Sequence, residues 1–202
     1  MNRKIHWEEV YSTKSANAVS WYQEHSELSL KLIHRTGLPS TTSIIDVGGG
    51  ASTLVDDLTR LGYSDVSVLD ISKAALDVAR GRLSAQNVSW IEGDITKIDL
   101  PEKRYDIWHD RAVFHFLIAA EDRHRYVDLL RKTLRPDGHV IMATFSETGP
   151  EKCSGLEVKR YSAEKLQEEL GDSFKLIEHL FETHKTPFGT EQHFIYCRFQ
   201  KR

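Results

Sequence analysis

Apolar positions along the chain alternate between two periods. Ser43-Ile44-Ile45-Asp46-Val47 is a short, largely β-branched run stopped by Gly48-Gly49-Gly50, after which Leu54, Val55, Leu58 and Leu61 recur at helical spacing up to Gly62. This pattern predicts a strand, a glycine turn and a helix. Val66 to Leu69 predicts a second strand, and Ser72 is placed to cap a helix carrying Ala75, Leu76, Ala79 and Leu83. Val88 to Ile91 predicts a third strand and Tyr105 to Asp110 a fourth. A helix over Glu121 to Leu134 then closes in Arg135-Pro136-Asp137-Gly138, and His139 to Phe145 is the fifth strand. Strands alternating with helices imply right-handed parallel β-α-β units and hence a doubly wound α/β sheet. Phe174 to His184 and Gln192 to Phe199 are longer alternating runs joined through Thr186-Pro187-Phe188-Gly189, which predicts an antiparallel hairpin closing the sheet. Residues 1–40 read as helices that end near Gly37 and Pro39 and cover the ligand-binding edge. The expectation is one domain over residues 1–202, with a helical cover over 1–40 and the sheet over 41–202.

Composition narrows the function classes. The 202 residues are about one domain's length. With 27 basic and 30 acidic side chains the formal net charge is -3, which argues against binding nucleic acid or a membrane surface by bulk charge. The longest apolar run, Val113 to Ala120, contains His115 and falls far short of the roughly 20 residues a bilayer span needs. The opening Met1-Asn2-Arg3-Lys4-Ile5-His6-Trp7-Glu8-Glu9 has no apolar signal core, so a cytoplasmic location is expected. Cys153 and Cys197 make no CxxC pair, which fits a reducing compartment. Ten histidines without an H-x-x-x-H pair predict no metal site.

In such a sheet, ligands bind outside the carboxyl ends of the strands. The segments to inspect are therefore Asp46-Val47-Gly48-Gly49-Gly50-Ala51-Ser52, Asp70-Ile71-Ser72, Gly93-Asp94-Ile95 and Asp110-Arg111-Ala112. Glycines let the backbone approach a ligand closely, although a plain tight turn explains them as well. Asp70 ends the second strand, where a carboxylate can accept both hydroxyls of a ribose. Asp94 ends the third, placed to accept from an adenine amino group while the Ile95 N–H meets a ring nitrogen. The combination indicates a nucleoside cofactor. A nicotinamide enzyme would want G-x-G-x-x-G, and the third glycine position holds Thr53. Tyr161 and Lys165 show the Y-x-x-x-K spacing of short-chain dehydrogenases, but Ser162 between them reads as a helix cap.

With D-V-G-G-G-A-S after the first strand, L-D-I-S after the second, E-G-D-I after the third, L-R-P-D-G-H before the fifth and a closing hairpin, the chain resembles the class I S-adenosylmethionine-dependent methyltransferases. The resemblance covers most of the chain. It implies a Rossmann-like seven-stranded sheet, mostly parallel, and S-adenosylmethionine as cofactor with S-adenosylhomocysteine as product. It carries Gly48, Gly49, Gly50, Asp70, Ile71, Asp94 and Ile95 over to the cofactor site, and Asp46, Asp110 and Arg111 are further candidates there. The segment Asp110-Arg111-Ala112-Val113-Phe114-His115 is similar to the fourth-strand motif of two groups. One is the thiopurine methyltransferase-like enzymes; the other is the lysine methyltransferases related to those acting on elongation factor 1A and citrate synthase. The sequence departs from both at Ala112. The opening His6-Trp7-Glu8-Glu9-Val10-Tyr11 and Trp21-Tyr22 resemble their N-terminal helices, where an aromatic lies over the cofactor. Trp21 is the candidate for that contact, or else a hydrophobic anchor for the N-terminal segment.

Methyl transfer asks the protein mainly to align the acceptor and exclude water. An amine or thiol acceptor must first lose its proton, and His115 is the candidate base, with His109 also beside the expected acceptor site. Asp110 is expected to hydrogen-bond the methionine ammonium or orient a substrate amine, and Arg111 to pair with a carboxylate or buttress Asp110. The long connection Ser146 to Arg160 leaves the carboxyl end of the fifth strand and reads as a lid. Its Cys153 is either a soft contact for a thiol or metalloid substrate or a bystander, and Cys197 reads as core. No Asn/Asp-Pro-Pro-Tyr or Pro-Cys follows the fourth strand, which lowers nucleic-acid methylation. A small-molecule acceptor leads, a protein lysine acceptor is the alternative, and a non-catalytic cofactor-binding module is the third reading. A monomer or weak homodimer is expected.

Overall fold

The computed structural model describes residues 2–83 and 87–202. Nine strands are present among them: β1 (Ser43–Val47), β2 (Asp65–Asp70), β3 (Val88–Glu92), β4 (Tyr105–Arg111), β5 (Leu134–Phe145), β6 (Lys152–Cys153), β7 (Leu156–Glu157), β8 (Phe174–Lys185) and β9 (Glu191–Lys201). Seven form one sheet in the order β3-β2-β1-β4-β5-β9-β8. Pairing is parallel from β3 through β5, and β9 runs antiparallel to both β5 and β8. The expected α/β sheet with its closing hairpin is therefore present.

The helices are α1 (Arg3–Thr13), α2 (Glu27–His34), α3 (Leu54–Arg60), α4 (Lys73–Arg82), α5 (Ala120–Thr133) and α6 (Ala163–Leu170). Local chemistry sets their starts. The Asn2 side chain accepts from the Lys4 and Ile5 N–H groups, Ser72 from Ala75 and Ser162 from Lys165. Because Ser162 is the α6 cap, Tyr161 is buried in the core while Lys165 lies on the surface pairing with Glu147, so the dehydrogenase-like spacing brings no site together.

Parallel strands are covered on both faces, and two apolar layers result. On one face Trp108, Val140 and Met142 pack with Tyr126, Val127 and Leu130 of α5 and Leu166 and Leu170 of α6. On the other, Ile44, Val66, Val68, Ile107 and Ile141 pack with Leu32 and Ile33 of α2, Leu54, Val55 and Leu58 of α3, and Leu76 of α4. The N-terminal helices divide: α1 lies against α4 at the strand ends, whereas α2 belongs to this second layer instead of covering the ligand-binding edge.

Two other details differ from the sequence reading. The turn expected at Arg135 to Gly138 is absorbed as an irregularity inside β5, where pairing jumps from Tyr105–Leu134 to Ile107–His139 and Asp137 takes a φ of 61°. The connection after β5 is not bare loop, because β6 and β7 form a small hairpin turned by Ser154 and Gly155, both at positive φ. No helix among the described residues is long and apolar enough to cross a membrane.

A buried polar seam ties α2 to the sheet. His109 Nδ1 lies 2.7 Å from Asp46 Oδ1, and its Nε2 lies 2.8 Å from the Ser29 hydroxyl, all three residues being buried. An ionised Asp46 only accepts, so Nδ1 carries the ring proton and Nε2 accepts from Ser29. Ser29→Ala would leave Nε2 buried without a donor, and urea denaturation should register a loss of about 1–3 kcal/mol.

Candidate functional site

The carboxyl ends of β1, β2, β3 and β4 open into one pocket enclosing about 750 Å³, its mouth included. Val47 and Gly48, Leu69 to Ile71, and Gly93 to Ile95 form its floor, and Arg111, Ala112 and Val113 one wall. Arg3, Trp7 and Tyr11 of α1, with Trp21, Phe116 and Cys153, complete the roof. A second, smaller recess shares Tyr11, Trp21, Gly48 and Arg111 and extends past Asp46, Gly49, Ser52, Thr53 and His109.

The glycine loop is shaped by its own carboxylates. A Cβ on Gly49 would collide with the Asp46 side chain, one on Gly50 with Ala75 and Asp70, and one on Gly48, at a φ of 72°, with Val113. The Gly50 N–H donates to Asp70 Oδ2 at 3.0 Å and the Ser72 N–H to Oδ1 at 2.8 Å. Burial pushes the Asp70 carboxyl up to about 6 against the pull of these N–H groups. Asp94 goes the other way. Burial works to raise it, but bonds from the Thr96 hydroxyl (2.7 Å) and N–H (3.0 Å) and the charges of Arg3 and Lys97 hold it below the usual carboxylate range.

Two buried polar atoms border the smaller recess without a hydrogen-bond partner, Asp46 Oδ2 and Arg111 Nη2. Arg111 does not buttress Asp110. Its Nε donates to Tyr196 Oη at 2.7 Å, its Nη1 to the Trp21 carbonyl at 2.9 Å, and Nη2 lies 3.6 Å from Glu182.

The roof is aromatic. Trp7 meets Phe116 edge to face at 5.1 Å and Trp21 at 5.6 Å, and the Trp21 indole N–H donates to Tyr11 Oη at 3.2 Å. At the outer end of α1, Arg3 pairs with Asp122 and Lys4 with Glu92, while Glu8 accepts from the Ala74 N–H. Arg3, Trp7 and Tyr11 recur every four residues and so share one helical face; that spacing was the signal available in the sequence, where only Trp21 is singled out.

The structure brings Trp21, Gly48, Asp70, Ile71, Asp94, Ile95 and Arg111 to the main pocket and Asp46, Gly48, Gly49 and His109 to the recess. Gly50 lies behind them, bonded to Asp70. Neither expected catalytic group lines the space. Asp110 is fully buried behind the wall, where it accepts from the Val113 and Phe114 N–H groups and from Tyr126 Oη at 2.5 Å. Burial pushes its carboxyl up to about 6 despite these donors. His115 is equally buried. Its Nδ1 accepts the Phe145 N–H at 3.2 Å, and burial, with the charge of Arg111, drives its pKa down to about 3, so it is neutral and turned away from any acceptor. Neither side chain therefore reaches the space that the sequence reading assigned to it, His115 as base and Asp110 as cofactor or substrate contact: the turn after β4 engages Asp110, and the Phe145 N–H of β5 engages His115. Cys153 does reach the pocket, but burial pushes its thiol up to about 12, and Cys197 is buried in the core. Among the described residues no group of three or more His, Cys, Asp or Glu side chains is disposed to hold a metal ion.

Residues 45–142 match the family described as a methyltransferase domain. Human EEF1A lysine methyltransferase 2 is 22% identical over 205 residues, covering 94% of this chain and 80% of the relative. Mouse eEF1A lysine and N-terminal methyltransferase is 23% identical over 119 residues, and there the match takes in 58% of this chain and only 17% of the relative. Among solved structures, 1,6-didemethyltoxoflavin-N1-methyltransferase of Burkholderia thailandensis, with bound 1,6-didemethyltoxoflavin and S-adenosylhomocysteine, superposes with a TM-score of 0.70 at 18% identity, over 96% of this chain and 81% of that one. At that identity the likeness is one of fold.

Every group touching Asp110 donates, so Asp110→Asn sets an amide NH2 against donors. It should lose about 1–3 kcal/mol in chemical denaturation, and an unchanged midpoint would contradict the wall role.

Proposed function

We propose that the chain, which carries a methyltransferase domain over residues 45–142, acts as a class I S-adenosylmethionine-dependent methyltransferase and transfers the methyl group of S-adenosylmethionine to a small-molecule acceptor held beneath α1. The observation that carries the acceptor class is the aromatic roof of Trp7, Trp21 and Phe116 over the pocket.

The residues present fit the cofactor. Asp70 would take the ribose hydroxyls, Asp94 and the Ile95 N–H the adenine edge, and Ile71 the adenine face. Asp46 Oδ2 and Arg111 Nη2, neither of them hydrogen-bonded, belong to one acidic and one basic side chain bordering the same recess, and they suit the ammonium and carboxylate of the methionine end. When bound, the cofactor supplies an electrophilic methyl carbon on a positively charged sulfur. Everything else falls to the chain: Trp7, Trp21 and Phe116 exclude water and restrict the acceptor's orientation, and alignment of this kind contributes on the order of 7–11 kcal/mol in intramolecular reactions.

Proton removal is not provided for. Burial pushes Tyr11 well above its ordinary range and the Cys153 thiol to about 12, and Asp70 is engaged with the loop. The acceptor therefore has to arrive with a free lone pair, as a ring nitrogen, a neutral amine or a thiolate does. A lysine side chain enters as an ammonium and would first have to lose its proton. A protein lysine acceptor is the second reading, favoured by the human relative, an EEF1A lysine methyltransferase whose match covers 94% of this chain.

Calorimetry with S-adenosylhomocysteine should show Asp70→Ala binding about tenfold or more weakly than wild type, and equal affinities would displace the ribose assignment. Hydroxyl donors need the ionised carboxylate, whose pKa in the folded protein is about 6. Affinity should therefore be flat above pH 7 and decline as the pH falls from 6 to 5, a dependence absent from Asp70→Asn. A labelled-methyl screen that separates macromolecular from small products should place the label in the small fraction; label on lysine would select the second reading.

A further inference from the structure

Trp21 occupies a stretch, residues 19–26, that belongs to neither helix nor strand, so its place in the roof must be imposed from outside. The anchors are polar and few. His184 Nε2 donates to the Ser20 carbonyl at 2.8 Å and Gln192 Nε2 to the Ser20 hydroxyl at 3.2 Å. Arg111 Nη1 donates to the Trp21 carbonyl at 2.9 Å, Gln23 Nε2 to Glu182 Oε1 at 2.9 Å, and the Thr53 hydroxyl to the Gln23 carbonyl at 2.9 Å. Three of these five partners, His184, Gln192 and Glu182, lie on the β8–β9 hairpin. Arg111 is itself held by that hairpin: Nε bonds Tyr196 Oη, Nη2 lies 3.6 Å from Glu182 Oε2, and the guanidinium stands 4.6 Å over the Phe194 ring.

Glu182 is where these contacts meet. One oxygen receives Gln23 and the other receives Tyr196 Oη at 3.0 Å while facing Arg111. Its carboxylate is the counter-charge of a guanidinium that is almost wholly buried, an arrangement that loses its orientation when one member is neutralised. Glu182 lines neither the main pocket nor the recess.

We propose that Glu182 is a positioning residue, which by holding Arg111 and Gln23 together sets the Trp21 indole against Trp7 and Tyr11 over the pocket. The proposal rests on the reading of that pocket as the methyl-transfer site. It gives the antiparallel hairpin, far from the nucleoside floor in sequence, a direct part in shaping the roof. Trp21 is then the readout of the hairpin's state, and Arg111 the link that a cofactor carboxylate and the hairpin would share.

Glu182→Gln and Tyr196→Phe each remove one element of this network while keeping side-chain shape. The Trp21 contribution to the near-ultraviolet circular dichroism spectrum is first defined as the difference between wild type and Trp21→Phe. Both variants should keep the wild-type far-ultraviolet spectrum, lose that Trp21 contribution, and bind S-adenosylhomocysteine about fivefold more weakly, with the double variant no weaker than the weaker single one. Retention of both the Trp21 signal and wild-type affinity in either variant overturns the proposal, as do strictly additive losses in the double variant. Should Glu182→Gln fail to fold, Tyr196→Phe decides by the same two readouts. Wild-type protein that binds no S-adenosylhomocysteine would instead sink the reading of the pocket, and the Trp21 signal would still test Glu182.

Discussion

Three carboxylates buried at the carboxyl ends of adjacent strands must find hydrogen-bond donors inside the protein, and for two of them the pocket's loops supply these donors. Asp46 is met by His109, Asp70 by the N–H groups of Gly50 and Ser72, and Asp110 by those of Val113 and Phe114 together with Tyr126. An ionised group withdrawn from water without such donors is very unfavourable, so the backbone around Asp70 and the turn after Asp110 curl back over those strand ends. That requirement explains the glycines better than ligand clearance does. Side chains at Gly49 and Gly50 would occupy the space already taken by Asp46 and Asp70. The floor of the site is in this sense the answer to a folding constraint, and a ligand site follows from it.

The floor and the roof obey different physics, and this decides how far each was legible in the sequence. The floor is local. Strand, turn and helix starts are written in short windows, so β1 was read with the bounds it has and Asp70 at the end of β2, while Asp94, read as ending the third strand, stands two residues beyond β3. The roof is non-local: Trp21 depends on Arg111 and Glu182, which lie 90 and 159 residues away from the segment they hold. No periodicity reports such a pairing. Asp110 and His115 were misread for a related reason. Their place at the end of β4 and just beyond it was read correctly, but position does not reveal whether a polar side chain faces the pocket or satisfies backbone N–H groups of the next turn or of β5. Arg135 to Gly138 shows the same limit at the level of backbone, since the turn chemistry was read properly while its absorption into β5 depended on the register with β4.

Histidine illustrates how burial redistributes chemistry that composition advertises. His109 spends both ring nitrogens joining α2 to the sheet, and His115 is a neutral acceptor for the Phe145 N–H. His184 donates to a carbonyl beneath the roof, and burial and the nearby charge of Arg111 lower its pKa. Each is committed to holding backbone segments together. A site that lacks a free base is then a consequence of how the fold uses its imidazoles, and it shifts the chemical burden onto the acceptor.

The two ends of α1 are fastened unequally. Its inner half carries Trp7 and Tyr11 into the aromatic cluster, whereas its outer end is pinned by Arg3 and Lys4 to acidic side chains at the rim, with Lys4 and Glu92 largely in solvent. An exposed ion pair such as Lys4–Glu92 holds weakly and is screened by salt, while the packing of half-buried aromatic faces does not depend on charge. The two halves of the helix are thus held by contacts of different salt sensitivity.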